Sequence, residues 1–373
     1  MKTNSHAHRT TGLKWLAAAL LALGTNCGLQ ASIASLPPEC TSVRSATPDT
    51  REVNFNSNWK FFQGDNEKAS HPDFDDNEWR TLDLPHDWSI EGRPEATNPS
   101  GNDGGYYPTG IGWYRKTFHF TPDAGRPETT IYFEGVYMNA EVFVNGHHLG
   151  IRPYGYSSFY FDITPHLKAG RNVVAVRVDN ASQKNCRWYT GSGIYRNVKL
   201  IRTPKVHFEP WGIAVHTTVG PSGATIEVEA TVTNRHTHSV STTLSGKILT
   251  EGHSVEAKEQ AVSLEAGEIR TFKLQIPLKN PNMWSPETPN LYQMECRLKG
   301  NGTDSDDSRT VTFGVRTVEY SAAKGLLLNG KPVILNGGCV HHDNGALGAA
   351  SYRDAEWRKA RLMKDAGFNA VRT

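Results

Sequence analysis

Cysteine is the most reactive side chain in this sequence, and its spacing assigns it no chemistry. Cys27, Cys40, Cys186, Cys296 and Cys339 form no Cys-x-x-Cys pair and no metal-ligand pattern. In a chain of 373 residues, disulfides are not needed to make up for a small core. The next candidates are flat amphipathic rings: nine Trp and thirteen Tyr help bring aromatics to 10%. Carbohydrate sites use such rings, but so do β-sandwich cores, which is the plainer reading of any single one. His341 lies just past an apolar run, where an imidazole can hydrogen-bond a hydroxyl or favour developing charge. Taken alone it reads as a capped loop histidine. Two Asn-Glu pairs, Asn66-Glu67 and Asn77-Glu78, sit beside turn residues and read as solvated loops. With 40 basic and 38 acidic residues and no basic patch, nucleic acid is a poor partner.

The elements around these residues fall into blocks. Lys2, Arg9 and Lys14 precede the nine-residue apolar run Trp15–Leu23, too short to span a bilayer, and small residues follow near Ala34. Residues 1–34 therefore read as a signal peptide of a secreted or periplasmic protein. A lipid anchor at Cys27 is disfavoured by the bulky Asn26 before it. No other apolar stretch approaches membrane length. From Val53 onward the pattern is β. "IYFEGVY" (131–137) and "EVFVNGHHLG" (141–150) are strand-like, with Asn145-Gly146 suited to a type I′ hairpin. "NVVAVRVDN" (172–180) puts Val174, Val176 and Val178 on one face. This block, 50–204, has the size of a jelly-roll β-sandwich.

"RTPKVHFEP" (202–210) reads as a linker. The second block, 205–318, alternates in "TIEVEATVTN" (225–234), "TFKLQIPL" (271–278) and "LYQMECRL" (291–298). Some seven short strands in about 110 residues suit an immunoglobulin-like sandwich. After Tyr320 the character changes. A hairpin is expected around Asn329-Gly330, then a helix over 352–366 capped by Ser351 with Asp354 in a capping box, ended by Gly367. Tyr352, Ala355, Leu362, Met363 and Ala366 share one helix face, and Glu356 is expected on the outer side. Strands 333–338 and 369–373 complete a β-α-β unit with parallel strands. Two parallel strands and one helix do not make a domain, so 319–373 reads as the start of a truncated (β/α)8 barrel. The expected fold class is thus mainly β: jelly roll, immunoglobulin-like sandwich, then the first β-α-β unit of a barrel.

At this level the sequence resembles glycoside hydrolase family 2, which includes β-galactosidases, β-glucuronidases and β-mannosidases. "WRTLDLPHDWSIEG" (79–92), "GIGWYRKTF" (110–118) and "RWYTGSGIYRNVKL" (187–200) resemble the signatures of the family's sugar-binding domain. "MWSPETPNLY" (283–292) and "FGVR" (313–316) resemble its immunoglobulin-like domain. "LNGKPVILNGGCVHHDNGALGAA" and "LMKDAGFNAVRT" resemble the opening of its barrel, in a version similar to secreted bacterial β-galactosidases. The resemblance implies retaining hydrolysis of terminal β-galactosides by two carboxyl groups about 5–5.5 Å apart. Both family Glu positions fall at later barrel strands, so no catalytic residue is expected in this chain, and as an N-terminal fragment it is expected to be inactive alone. His341 matches a histidine that contacts the bound sugar, and Arg372 an active-site arginine at the end of the second strand. Asp179 matches a first-domain aspartate that reaches over the barrel, with Asn180 as its rival. Arg187, Trp188 and Tyr189 are expected to pack against the barrel. The implied partner is a β-galactoside-containing oligosaccharide or glycan. No cofactor is implied in this chain; Mg or Na are candidate ions, and oligomers candidate assemblies, of full-length relatives.

Two other classes compete with the enzyme fragment. A non-catalytic carbohydrate-binding protein would be expected to end near residue 318, after the second sandwich. An immunoglobulin-type adhesion protein does not account for the hairpin and helix that follow. β-Glucuronidase or β-mannosidase specificity remains the alternative within the family.

Overall fold

Both Asn-Gly hairpins form. Asn145 and Gly146 have φ of 51° and 84°, and Asn329 and Gly330 have 50° and 76°, the left-handed pair that a two-residue type I′ connection needs. The structure, a computed structural model, describes residues 51–300 and 305–373. The expected signal peptide over residues 1–34, which includes Cys27, lies outside the described residues, and so does Cys40.

The first sandwich is built from β1 (Glu52–Asn54), β2 (Trp59–Gln63), β3 (Arg80–Leu82), β4 (Gly110–Phe120) and β5 (Glu128–Phe133). It continues with β6 (Ala140–Val144), β7 (His147–Arg152), β8 (Phe159–Asp162), β9 (Gly170–Asn180) and β10 (Val198–Thr203). One sheet runs β1-β10-β5-β8 and the other β3-β2-β4-β9-β6-β7. Trp59, Tyr114, Ile131, Phe133 and Val142 fill the space between them. Val174, Val176 and Val178 face this core as their alternation requires. The opposite face of β9 is covered as well, because Ala175 packs with Trp113 and Ala69 beneath the 65–79 segment.

A one-turn helix, α1 (Trp88–Glu91), interrupts this β block. Beside it, His86 is buried. Arg80 Nη2 lies 2.7 Å from its Nε2 and the Tyr114 hydroxyl 2.7 Å from its Nδ1. The same Nε2 also lies 3.2 Å from the Glu91 carboxylate, so the ring is held between a cation, an anion and the Tyr114 hydroxyl. Burial, with the Arg80 charge adding to it against the opposing pull of Glu91, lowers the His86 pKa to about 4.

The second sandwich contains β11 (Val206–Gly220), β12 (Gly223–Asn234), β13 (Val240–Thr250) and β14 (His253–Leu264). β15 (Ile269–Leu278), β16 (Tyr292–Leu298) and β17 (Asp307–Phe313) complete the seven strands. They form sheets β11-β12-β15 and β14-β13-β16-β17. Ile226, Val228, Ala230 and Val232 are fully buried in its core. The stretch read as a linker is mostly strand: β10 ends at Thr203 and β11 begins at Val206, pairing with Asn234. Its prolines do not break the pairing because Pro210 falls in a bulge between Phe208 and Ile213. A buried charge pair spans the two sandwiches. Arg51 bonds Asp307 and donates to the Phe208 carbonyl, while the Phe208 amide returns to Asp307 at 2.8 Å.

The last segment holds β18 (Val318–Ser321), β19 (Gly325–Leu328), β20 (Lys331–Pro332), β21 (Gly337–Cys339), α2 (Arg353–Asp365) and β22 (Ala370–Arg372). β21 and β22 pair in parallel, Gly337 opposite Ala370 and Cys339 opposite Arg372. The first of these strands is shorter than expected. Asn369 accepts from the Asn336 amide at 2.8 Å and donates to the Ile334 carbonyl at 2.9 Å. Its side chain thus takes the ladder partners of 334–336, and Ile334 and Leu335 stay exposed. Helix α2 ends as its sequence requires: Gly367 has φ 88°, its amide meets the Lys364 carbonyl, and the Phe368 amide meets that of Met363. It begins differently, with Tyr352 at the cap position and no side-chain cap. The Ser351 hydroxyl instead reaches the Glu356 carboxylate at 3.1 Å. Of the predicted apolar face, Ala355 and Met363 are half-buried while Tyr352, Leu362 and Ala366 are exposed.

The buried His86 makes folding depend on pH. Unfolded, this histidine takes a proton below about 6.5; folded, it resists until about 4. The unfolded state therefore binds more protons between those values, and stability falls as pH drops through that window. Chemical denaturation at pH 7 and at pH 4.5 is expected to differ by about 2 kcal/mol from this residue. His86→Gln, which keeps a donor and an acceptor, is expected to flatten that part of the profile.

Candidate functional site

The predicted site residues leave the fold at two places. His341 follows β21 and Arg372 ends β22, so both emerge at the same C-terminal end of the parallel pair. The Val340 amide bonds the Arg372 carbonyl at 2.9 Å and holds these ends together. Both side chains are exposed. Asp179 stands at the end of β9, opposite Ile111. Its carboxylate accepts from the Ala181 amide at 2.9 Å and Arg177 at 3.3 Å. Among the described residues no hydrogen bond joins Asp179 to His341 or Arg372. Its rival Asn180 is buried and acts as a strut: it donates to the Gly191 carbonyl and the Ser192 hydroxyl and accepts from Gln183 and Asn185. That commitment leaves Asn180 no free hydrogen-bonding group for a ligand.

The loop that Asn180 supports meets the residues after β21. The Trp188 ring lies 5.7 Å from the His341 ring at 62°. Its indole donates to the Tyr156 hydroxyl at 2.8 Å. Tyr156 in turn stands edge-on to His342, 5.2 Å between centroids. His342 itself is tied down, with Nε2 2.9 Å from the Thr190 carbonyl, and burial lowers its pKa. The two adjacent histidines therefore differ: His341 is presented and His342 is packed. Tyr189 is half-buried against this segment and Trp188 contacts it through His341 while remaining exposed, as Arg187 is.

One carboxylate fastens this junction, and it was not among the residues singled out from sequence. Asp87 caps α1 through the Ser89 amide at 3.0 Å. The same oxygen accepts from the Ser192 amide at 2.8 Å. Its other oxygen accepts from the Tyr189 hydroxyl at 2.5 Å and the Ala349 amide at 2.8 Å. Burial raises the Asp87 pKa, and these four donors oppose that rise. Tyr189, buried against the same charge, has its own pKa raised. Two glycines make room: a Cβ on Gly191 or Gly348 would meet Asp87 Oδ2 at 2.5 or 2.4 Å, and both sit at positive φ. The signal for Asp87 in the sequence was a helix-capping aspartate before "WSIE". Nothing local pointed to Ala349.

Glu356, expected on the outer side of α2, faces inward. It accepts from Asn344 at 2.6 Å, Ser351 at 3.1 Å and Lys359 at 3.2 Å. Burial alone would raise its pKa; the bonds from Asn344 and Lys359 outweigh this and hold it low. Glu67 and Glu78, of the Asn-Glu pairs, are exposed in the first sandwich. Asp87 and Asp307 are the fully buried carboxylates among the described residues, and both accept hydrogen bonds within the fold. No group of three or more His, Cys, Asp or Glu side chains among the described residues is placed to hold a metal ion. No helix among them is long and apolar enough to cross a membrane.

A jelly roll whose aromatic loop packs against the start of a β-α-β unit, with a second sandwich between them in sequence, defines the class of a multidomain β protein. The chain belongs to glycosyl hydrolases family 2. Residues 53–204 match the family's sugar binding domain and residues 206–316 match a second family domain. A β-galactosidase of Bacteroides ovatus is 44% identical over 337 residues, covering 89% of this chain and 39% of that protein. A β-glucuronidase of Bacteroides fragilis is 30% identical, covering 86% of this chain and 46% of that one. A solved family 2 member from Bacteroides cellulosilyticus superposes with a TM-score of 0.82 at 39% identity, covering 86% of this chain and 42% of that structure. A Bacteroides uniformis β-glucuronidase 2, covalently bound to cyclophellitol-6-carboxylate aziridine, gives 0.77 at 29% identity, covering 86% and 39%. The chain thus spans less than half the length of these relatives.

Asp87→Asn keeps the shape of the junction but replaces one acceptor oxygen with a donor that faces N–H or O–H groups. It is expected to cost about 1–3 kcal/mol. Hydrogen exchange is expected to quicken at the Ser192 and Ala349 amides while the β12 amides stay protected.

Proposed function

We propose that this chain supplies the sugar-binding sandwich, the second sandwich and the first barrel strands of a family 2 β-galactosidase that releases terminal β-galactosides from a glycan. The observation that carries this reading is the junction itself: Asp87, Tyr189 and Trp188 of the first sandwich hold the loop that presents His341. Barrel enzymes act at the C-terminal ends of their strands, and His341 and Arg372 stand at that end. The similarity to the Bacteroides ovatus β-galactosidase supports the choice of galactoside. The covalent adduct of the Bacteroides uniformis relative supports a retaining route through a carboxylate nucleophile.

In this reading His341 hydrogen-bonds a sugar hydroxyl, Arg372 orients sugar oxygens with its planar donors, and Asp179 approaches the sugar from the first sandwich. The two carboxyl groups come from later barrel strands. A β-glucuronidase is the second reading, favoured by the relatives of that name and by an exposed arginine able to face a sugar carboxylate.

The purified 373-residue chain is expected to give no turnover on chromogenic β-galactosides or β-glucuronides. Turnover that persists through purification would overturn the assignment of both carboxylates to later strands. In an enzyme carrying the complete barrel, β-galactoside turnover well above β-glucuronide turnover is expected, and the reverse would favour the second reading. There His341→Ala is expected to lower kcat/KM about a hundredfold, the cost of one lost donor to the transition state. His342→Ala is expected to act on stability instead, lowering Tm more than kcat/KM, because its ring is packed against Tyr156 and Tyr195.

A further inference from the structure

A second aromatic site lies on the outer face of the β1-β10-β5-β8 sheet. There a hollow of about 460 Å³ opens between the 152–160 segment and Trp211, within the range usual for small-ligand sites. Trp211 is 59% exposed and Tyr154 62% exposed.

The indole is exposed yet held. Its Nε1 donates to the Tyr132 hydroxyl at 3.2 Å. Tyr132 and Tyr160 stand edge-on to it at 6.1 and 5.1 Å, and Tyr160 is itself bonded to Glu209 at 3.2 Å. The backbone is shaped for this display. Trp211 sits in the bulge of β11 between Phe208 and Ile213, and bulges re-aim side chains. Gly212 follows it, where a Cβ would strike the Thr231 carbonyl at 2.6 Å.

The rest of the lining mixes polar Arg152, Ser157 and Ser158 with apolar Pro153 and Phe159. Arg152 stacks on Phe161 at 4.5 Å, donates to the neighbouring Ile151 carbonyl at 3.3 Å and is exposed. Ser157 is exposed beside it. A flat fixed ring with hydroxyl and guanidinium donors at its rim matches a pyranose, which offers C–H groups on one face and hydroxyls around its edge. One arginine is too few for a polyphosphate, and the polar rim suits an acyl chain poorly.

The hollow also leads toward the junction. Tyr154 lies 5.7 Å from Tyr156, the ring that contacts both Trp188 and His342.

We propose that this hollow is a carbohydrate-binding subsite, separate from the barrel end, that holds sugar units of a glycan against the Trp211 indole. It goes beyond the activity proposed above and needs neither catalytic carboxylate.

The test is equilibrium binding to the full chain, read by calorimetry and saturation-transfer NMR without turnover. The probes are β-1,4-galactotetraose, cellotetraose and xylotetraose. At least one is expected to bind, with saturation strongest on sugar C–H protons. Trp211→Ala is expected to weaken binding about tenfold, and Tyr154→Ala to weaken it in the same direction. Trp357→Ala, which removes an equally exposed indole on α2, is expected to leave binding and Tm unchanged. Absence of binding by every probe at millimolar concentration would overturn the subsite. So would binding that survives both Trp211→Ala and Tyr154→Ala. If such surviving binding is lost in His341→Ala, the sugar sits at the barrel end, and the activity proposal stands while the subsite falls.

Discussion

A carboxylate taken out of water must be repaid by donors, and Asp87 collects four of them from three separate stretches of chain. Ser89 is local, Ser192 and Tyr189 lie about a hundred residues on, and Ala349 lies 262 positions away. Each donor is worth little if the others are absent, because the unpaired charge remains buried. The junction is therefore all or none: α1, the 186–192 loop and the loop after β21 dock together. Replacing glycine at 191 or 348 would push a Cβ into the same carboxylate, so the backbone there is selected by the charge it surrounds.

The second sandwich is attached by the same device in a different place. Arg51 and Asp307 are both buried, and the Phe208 carbonyl and amide each bond to one of them. Asp307 is thus held by a donor from each sandwich, which fixes their relative orientation more tightly than apolar contact, which has no direction, could. A rigid frame matters for what sits on it. His341 stands exposed, with the Trp188 ring as its ring contact among the described residues, so its position is inherited from Trp188 and from the Asp87 junction.

The functional surface divides according to how each aromatic is used. Trp59 and Trp113 are buried and serve the sandwich core. Trp188 and Tyr156 serve the junction, each bonded to the other. Trp211 is fixed by tyrosines yet remains open to solvent. Composition alone shows the abundance of rings; only their burial and their partners separate these three uses.

Much of the architecture was legible in the sequence because its causes are local. The Asn-Gly turns need positive φ, alternating valines need one buried face, and Gly367 needs a helix end before it; all three were readable and are present. The family motifs likewise carried the chain's relationship. What tertiary structure decided are the partners of polar groups. Asn369 shortens the strand before it by taking its ladder bonds. Pro210 lies in a bulge within a strand where a linker was expected. Glu356 turns toward Asn344, and Asp87, a plain helix cap by its local sequence, becomes the fastening of three segments. Periodicity records which face of an element is apolar, since that depends on a residue and its near neighbours. A buried hydrogen bond depends on which distant donor arrives within 3 Å, and that is set only when the chain has folded.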